Sequence, residues 1–352
     1  MKGYRVFTLS LALLSGFFIL TLHLSSQWAD KLIIYPAGRD LPRFQSSDEE
    51  EEDSAQEGQE ETEEEEESPR PSRKEKGTAQ RIRHENGTLD ARYNFINFNR
   101  DRLTISFSIT EKDYRTYLAG YGYSETELSN LTQWRNATRQ KEWAKAVAKG
   151  GEAAGKEALT AVEWEYKVRL NELFRSRGLE LLPGNIIICD IPAIVKRNIP
   201  FLKPMALAFQ KISEARGYGP EETVGAALSM AQTALRYKIP PMIEGSLHTG
   251  GLLPPGRALL SGWGDCDTKT ALVASILGNW SGMRLVGISV PDHYLMAIRR
   301  IPAKGDLFVR YDGLEYVLIE PAGPAWLEPG AVGTATSALL QGSEGYKIEP
   351  FF

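Results

Sequence analysis

The sequence predicts an α+β protein, with helices mainly in its first half and strands mainly in its second. Between residues 111 and 176, apolar residues recur at helical spacing in a stretch rich in Ala, Glu, Lys and Arg. Further along, apolar and polar residues alternate in runs typical of strands, at 285–290, 294–299, 307–311 and 314–319. With 352 residues, 42% of them hydrophobic, the chain can bury one large core or two modest ones.

The N-terminal segment predicts a single transmembrane helix. Val6–Leu24 runs 19 residues without an Asp, Glu, Lys or Arg, close to the length of about 20 that a helix needs to cross a bilayer. Lys2 and Arg5 precede it, which favours a cytoplasmic N-terminus and an exported, periplasmic or extracellular, C-terminal domain. The residues that follow match a cleavage site poorly, so we interpret residues 1–29 as an uncleaved membrane anchor. A cleaved signal peptide is the alternative.

Residues 30–89 have the composition of a disordered linker, first acidic and then basic. Residues 48–67 hold fourteen acids and no base, and without them the formal net charge of −5 becomes +9. Such a segment buries little apolar surface and is expected to be a solvated tether. An acidic arm that visits the basic domain and screens its site is the alternative. The basic residues of the remainder are scattered, which argues against a nucleic-acid partner.

The ordered part is expected to begin near Tyr93. Arg102–Ile109 alternates and predicts a strand, after which residues 90–185 are expected to form a mainly helical region packed on a core at 186–352. Within that core, apolar side chains repeat at helical spacing twice before residue 240. The Asp312–Gly313 pair predicts a hairpin turn between two strands. The apolar positions of the two helical faces are Met205, Phe209 and Ile212, and then Val224, Leu228, Ala231 and Leu235.

The segment GWGDCDTKTALVASIL at 262–277 points to a nucleophilic thiol. Gly264 is expected to permit a tight turn, and from Asp267 onward the pattern becomes helical. Cys266 would then lie at the first turn of a buried helix, where unpaired N–H groups and the helix dipole favour a thiolate. Asp265 and Asp267 flank the sulfur and would raise its pKa. Asp265 is expected to act instead as the N-cap of the helix.

A thiol nucleophile needs a base and a group that orients the base. Of the four histidines, His293 lies at the start of an alternating strand, whereas His248 lies in the Gly/Pro loop at 240–255. Tyr316, Leu318 and Glu320 share one face of a later strand, and a carboxylate among apolar neighbours is unusual unless it has a partner. The candidate catalytic residues are therefore Cys266, His293 and Glu320.

The cysteine count excludes several other classes of site. Cys189 and Cys266 are the two cysteines, and neither lies in a spacing typical of a zinc site, so we expect no metal and no cofactor. One disulfide remains an alternative in an oxidising compartment. Cys189 follows three isoleucines and is expected in or beside a buried strand, less reactive than Cys266.

A cysteine at a helix start, a histidine on the next strand and an acid ending a further strand resemble the transglutaminase-like superfamily. The GDCD segment is similar to the cysteine motifs of its prokaryotic peptidase branch. Supporting stretches are Met230–Ala231–Gln232 with Tyr237, Leu285–Val290 and the hairpin Tyr311–Glu320. The resemblance covers roughly residues 190–330.

This resemblance implies a papain-like α+β core, with Cys266 as nucleophile, His293 as base and Glu320 as the residue that orients the base. Gln232 and Trp263 are the candidates for an oxyanion hole. The sequence departs from the usual pattern at two positions, since Tyr294 replaces a tryptophan after the histidine and Glu320 replaces an aspartate. Tyr294 and Asp265 are expected to support the site.

Two functions remain open on the sequence alone. The first is a membrane-anchored cysteine acyl-transfer enzyme, a peptidase, amidase or transglutaminase that acts on peptide or protein amides. The second is a catalytically inactive domain of the same fold that binds peptide or a protein partner.

Overall fold

The computed structural model describes residues 78–352 and the backbone of residues 33–34. It mixes 46% helix with 25% strand, which confirms the α+β class. The predicted anchor at 1–29 and most of the predicted linker lie outside the described residues. No helix within the described range is both long enough and apolar enough to span a bilayer.

The helices of the described residues fall mainly between residues 111 and 277, as the sequence predicted. They are α1 (Glu111–Leu118), α2 (Glu125–Ser176), α3 (Ile191–Phe201), α4 (Lys203–Arg216), α5 (Pro220–Thr233), α6 (Pro255–Ser261), α7 (Cys266–Leu277) and α8 (Thr334–Gln341).

The strands are short except in two sheets. They are β1 (Ile33–Ile34), β2 (Ala79–Glu85), β3 (Thr88–Ile96), β4 (Arg102–Thr110), β5 (Tyr123–Ser124), β6 (Leu179–Leu182), β7 (Ile186–Cys189), β8 (Arg236–Tyr237), β9 (Ile243–Glu244), β10 (Leu247–His248), β11 (Trp263–Gly264), β12 (Leu285–Val290), β13 (His293–Arg299), β14 (Phe308–Tyr311), β15 (Leu314–Ile319) and β16 (Lys347–Pro350).

The chain forms two compact units whose segments alternate along the sequence. Of the described residues, the smaller unit takes 33–34, 119–190 and 241–251, and the larger unit takes 78–118, 191–240 and 252–352. The loop at 241–251 belongs with the helical unit. The boundary expected at residue 186 stays a prediction.

The smaller unit is built on α2, which begins with a capping box. The Ser124 side chain accepts from the main chain of Glu127, and the Glu127 carboxylate accepts from the Ser124 N–H. Gly150 and Gly151 leave helical geometry, with φ of 74° at Gly151, so α2 consists of two helical segments joined at a kink. Cys189 ends β7 and is buried, as predicted.

The five-stranded antiparallel sheet of the larger unit has the order β14-β15-β13-β12-β16. Alternate side chains on one face form a core cluster, onto which α8 packs through Leu339 and Leu340. The predicted turn at Asp312–Gly313 joins β14 to β15, and both residues have positive φ. The buried members of the cluster are Val286, Ile288, Val290, Leu295, Ala297, Val309, Tyr316 and Leu318.

A second sheet in the larger unit, with the order β2-β3-β4, begins earlier than the sequence predicted. Order was expected from Tyr93, but β2 starts at Ala79 and pairs along its whole length with β3. The charged residues of β2 are exposed to solvent, and for that reason the composition of this segment resembles that of a disordered linker. Strand pairing with β3 supplies the order that burial of side chains would otherwise provide.

Candidate active site

Cys266 is the first residue of α7, a helix whose twelve residues are all buried. Asp265 is its N-cap and accepts from the Thr268 N–H at 3.0 Å, so the predicted cap is confirmed. The turn before it differs from the prediction: Gly262 has positive φ, and Gly264 does not. Gly264 is needed because a Cβ there would collide with the Thr268 side chain.

The Cys266 thiol lies among negative groups. Its S–H donates to Asp267 Oδ1 at 3.5 Å. Burial raises the pKa of the thiol well above its usual value, and Asp267 and Asp265 raise it further. A hydrogen bond from the main chain of Tyr294 acts in the opposite direction and is the weaker influence. These influences together favour the protonated thiol over the thiolate.

His293 begins β13 and is joined to Glu320. The distance from His293 Nε2 to Glu320 Oε1 is 3.0 Å, and both side chains are largely buried. The strand position follows from a tight turn in which Asp292 has positive φ and Val290 pairs with His293. Because Glu320 is ionised and can only accept, Nε2 carries the proton. The lone pair of the imidazole is then on Nδ1.

Glu320 follows β15 and accepts three hydrogen bonds. Besides His293, Gly333 N–H donates to Oε2 at 2.6 Å and Thr336 Oγ1 donates to Oε1 at 2.7 Å. Burial is the largest single influence on the Glu320 carboxyl and pushes its pKa up, but the three hydrogen bonds together hold the pKa below its ordinary value. Gly333 is the N-cap of α8, so the carboxylate also lies at the positive end of a helix.

Gln232 and Trp263, the two oxyanion candidates, have different surroundings. Gln232 is fully buried in α5, where its Nε2 donates to the carbonyls of Glu320 and Leu327, each at 2.9 Å, and its Oε1 accepts from Leu327 N–H. The side-chain amide of Gln232 is thus hydrogen-bonded to the main chain at Glu320 and Leu327 and fixes the position of that segment. Trp263 lies in β11, directly before the cap of α7, and Lys238 Nζ lies 4.7 Å from its ring centroid.

Tyr294 contributes its main chain to the site and directs its side chain away from it. Its hydroxyl donates to Glu349 at 2.9 Å, and its carbonyl accepts from Thr270 Oγ1 at 3.2 Å, which joins β13 to α7. The main chain of Tyr294, the residue after His293, also forms a hydrogen bond with the sulfur of Cys266. Within the described residues, the sulfur makes no hydrogen bond to the His293 ring.

The other described histidines and the second cysteine lie elsewhere. His248 is in the smaller unit, 2.9 Å from Glu125 and stacked on Tyr123. His84 lies in β2 rather than in a disordered tail, 3.6 Å from Glu111. Cys189 and Cys266 are not joined by a disulfide bond. The side-chain donors of Asp265, Cys266 and Asp267 come within 4.8 Å of one another, and they are the group in the described chain that could hold a metal ion.

Two residues near the thiol were not among the candidate site residues of the sequence analysis. Lys269 has no exposed surface although it lies three residues after Cys266. Burial lowers the pKa of Lys269 to about 7, and Asp265 opposes that shift. Tyr237, on β8, has a raised pKa because of burial first and then because of the nearby Cys266. The available signal for Lys269 was a lysine in a segment that is otherwise free of basic residues and mostly small or apolar.

Comparisons of this chain with protein-family models, with curated proteins and with solved structures found no significant match.

Proposed function

We propose that this chain is a transglutaminase-like cysteine acyl-transfer enzyme that acts on peptide or protein amides. The observation that carries the proposal is the His293–Glu320 hydrogen bond of 3.0 Å on the strand whose main chain reaches the Cys266 sulfur. A thiol at a helix start, a histidine and a carboxylate that orients it form a set able to make and break a thioester.

The proposed reaction has two halves. Nδ1 of His293 takes the thiol proton while the sulfur attacks the amide carbonyl carbon, and the C–N bond then breaks as His293 gives that proton to the leaving amine. Water or a second amine next attacks the thioester, loses a proton to His293, and releases the acyl group as an acid or a new amide. The Cys266 thiol regains its proton from His293.

The electrostatics of the site support a base-dependent thiol rather than a permanent thiolate. Asp265 and Asp267 disfavour a negative sulfur, whereas a Glu320 carboxylate with lowered pKa favours an imidazolium. The proton transfer and the attack on the carbonyl are therefore expected to be concerted. The unpaired N–H groups expected at the first turn of α7 are the proposed donors to an oxyanion beside the sulfur.

The full-length protein incubated with a library of fluorogenic peptide amides, with and without a labelled primary amine, tests this function. Cleavage without amine identifies a hydrolase, and incorporation of the amine identifies a transferase. Cys266→Ala should abolish both signals, and Cys189→Ala, the matched control, should leave them intact. Turnover that survives Cys266→Ala contradicts the proposal.

A catalytically inactive peptide-binding domain is the second candidate function. The observation that favours it is the Cys266 S–H, which faces Asp267 and not the His293 ring. Absence of labelling by a thiol-directed activity probe, together with measurable peptide binding, would support this candidate over the enzyme.

We also propose that the domain is held at a membrane by Val6–Leu24 and lies on the exported side. The support is the apolar run itself and the basic residues Lys2 and Arg5 that precede it. A reporter fused after Phe352 that is active only in the cytoplasm contradicts this topology.

A further inference from the structure

β4 is an edge of the sheet β2-β3-β4, and within the described residues no strand pairs with its outer side. It has nine residues, whereas an average strand has about five or six. Proteins commonly protect a long edge with lysine, proline or a bulge, because its unpaired main-chain groups can pair with another chain. β4 contains no lysine and no proline, and its register with β3 runs without a bulge. This edge is therefore open to a further strand.

The hydrogen bonds at the two ends of the β3–β4 pair show which main-chain groups point outward. Asn97 N–H donates to the Asp101 carbonyl at 3.0 Å, and Glu111 N–H donates to the Gly87 carbonyl at 2.8 Å. Because hydrogen-bonded pairs alternate along an antiparallel ladder, the odd-numbered residues of β4 bond to β3 and the even-numbered ones point away from it. In the part of the chain that the structure describes, the main chain of the outward residues makes no further hydrogen bond. The outward residues between the two ends are Arg102, Thr104, Ser106 and Ser108.

The side chains of these four residues form a polar row along the edge. All four are exposed to solvent, while the residues between them are buried on the opposite face. The Thr104 hydroxyl donates to Asn94 Oδ1 on β3 at 2.7 Å, and the Ser108 hydroxyl donates to Asp90 Oδ1 on the same strand. A carboxylate is thus held one strand in from the edge, beside Ser108.

We propose that this edge binds the same edge of a second copy of the chain, so that two β4 strands pair antiparallel about a two-fold axis and one sheet runs through both copies. One register pairs all four outward residues. In it Arg102 lies opposite Ser108 of the second copy, and Thr104 lies opposite Ser106, whose hydroxyls can share a hydrogen bond. Symmetry repeats both pairs, so every outward N–H and C=O of these residues is bonded. The inference does not depend on the proposed enzyme activity.

The side chains favour a second copy over an unrelated extended peptide. In this register Arg102 of each copy faces Ser108 of the other, whose hydroxyl donates to the Asp90 carboxylate. A guanidinium therefore lies beside an acid at both ends of the paired strands, which is the charge arrangement that stabilises cross-strand pairs. Leu207 on α4, the helix packed against β4, is 46% exposed and provides an apolar side chain beside the same strand.

The test is the mass of the full-length protein in detergent, measured by analytical ultracentrifugation over a range of concentrations. The parent should have about twice the mass of the 39.2 kDa chain once bound detergent is subtracted. Ser106→Pro removes one outward N–H from each copy and leaves the bonds to β3 in place. This variant should dimerise about tenfold more weakly, because two main-chain hydrogen bonds are lost.

Two results overturn the proposal directly. A monomeric parent does so, and leaves the edge to an extended segment of a different protein. A dimer that persists unchanged in Ser106→Pro does so as well, because the copies then meet through another part of the chain, such as the predicted transmembrane helix.

A charge exchange tests the register without a proline, and carries the test if Ser106→Pro does not fold. Arg102→Glu places a carboxylate near Asp90 of the second copy and should weaken dimerisation by about tenfold. Adding Ser108→Lys supplies an opposite charge across the strands and should restore dimerisation to within about threefold of the parent. Arg81→Glu, the same charge change on β2 at the far side of the sheet, is the matched control and should leave the mass unchanged. A double variant that is folded by circular dichroism but stays monomeric overturns the proposal.

Discussion

The reactivity of Cys266 is decided by its neighbours more than by its place on a helix. Helix-end effects amount to about 0.3–1 kcal/mol at exposed sites. Against that, burial and two adjacent carboxylates raise the thiol pKa. A helix start therefore does not by itself make this cysteine a thiolate, and the proposed mechanism needs His293 to remove the thiol proton.

Glu320, the partner of His293, is held in turn by Thr336, which the sequence analysis did not single out. Thr336→Val removes the hydroxyl that donates to Glu320 and keeps the shape of the side chain. The variant should lose about 1.5–3 kcal/mol of unfolding free energy at pH 7, the range for a hydrogen bond to a charged group. Urea unfolding at pH 7 measures the loss.

The pH dependence of that loss provides a check. Glu320 has a lowered pKa, so its stabilising contribution is present above the ordinary value of 4.5 and disappears as the pH falls through the folded-state value. The deficit of Thr336→Val should accordingly shrink below pH 4.5. Thr334→Val, an exposed change at the same helix end, should be nearly neutral throughout, and an equal deficit there would contradict the prediction.

Lys269 also predicts a stability that rises with pH, but in a higher pH range than Glu320. Its folded-state pKa of about 7 lies below the ordinary 10.5, so between these values the unfolded chain binds more protons and this residue makes stability rise with pH. The unfolding free energy of the wild type relative to Lys269→Met should increase by at most about 1.4 kcal/mol per pH unit from pH 7 to 9. Parallel stability curves for the two proteins would show that Lys269 is not perturbed.

At the scale of elements, α7 and the turn before it set the position of Cys266. β11 pairs in parallel with β8, which places Gly264 beside Tyr237 and leads directly into the Asp265 cap. Close packing of Gly264 against Thr268 in that turn leaves no room for a side chain. The start of the helix is thus fixed by packing on one side and by a cap on the other.

Gly264→Ala should disturb this element selectively. Its added methyl group would press on Thr268 and shift the cap, at a cost of about 1–3 kcal/mol, the range for overpacking. The midpoint of thermal unfolding and the rate of Cys266 alkylation would both fall. Gly282→Ala is the matched control, because a methyl group there meets open space, and a comparable loss in that variant would contradict the packing argument.

At the scale of the whole molecule, β2 belongs to the larger unit and marks where the described fold begins. Its residue Gln80 packs against Gly262, in the turn that leads to the candidate site. A fragment that starts at residue 90, as composition suggested, would remove β2 and the first two residues of β3.

A fragment of residues 78–352 should therefore fold, and one of residues 90–352 should be less stable. We expect the midpoint of thermal unfolding to fall by at least about 5 °C in the shorter fragment, because β3 loses its pairing partner. Circular dichroism of both fragments measures this. Identical melting curves would place the boundary back near Tyr93.

The sequence by itself determined the α+β class, the hairpin at Asp312–Gly313, and the start of a buried helix at Cys266. These features depend on local periodicity and on turn and cap chemistry, which neighbouring residues decide. The same local signals indicated His293 at a strand start and Glu320 at a strand end.

Only the tertiary structure decided which distant groups complete the candidate site. Thr336 bonds to Glu320 across sixteen residues, Lys269 bonds to Leu235 across thirty-four, and Gln232 holds the segment after Glu320 from eighty-eight residues away. Hydrogen bonds of this kind depend on three-dimensional packing and produce no periodic pattern in the sequence. The same reason explains β2, whose order comes from pairing with β3 and not from apolar burial.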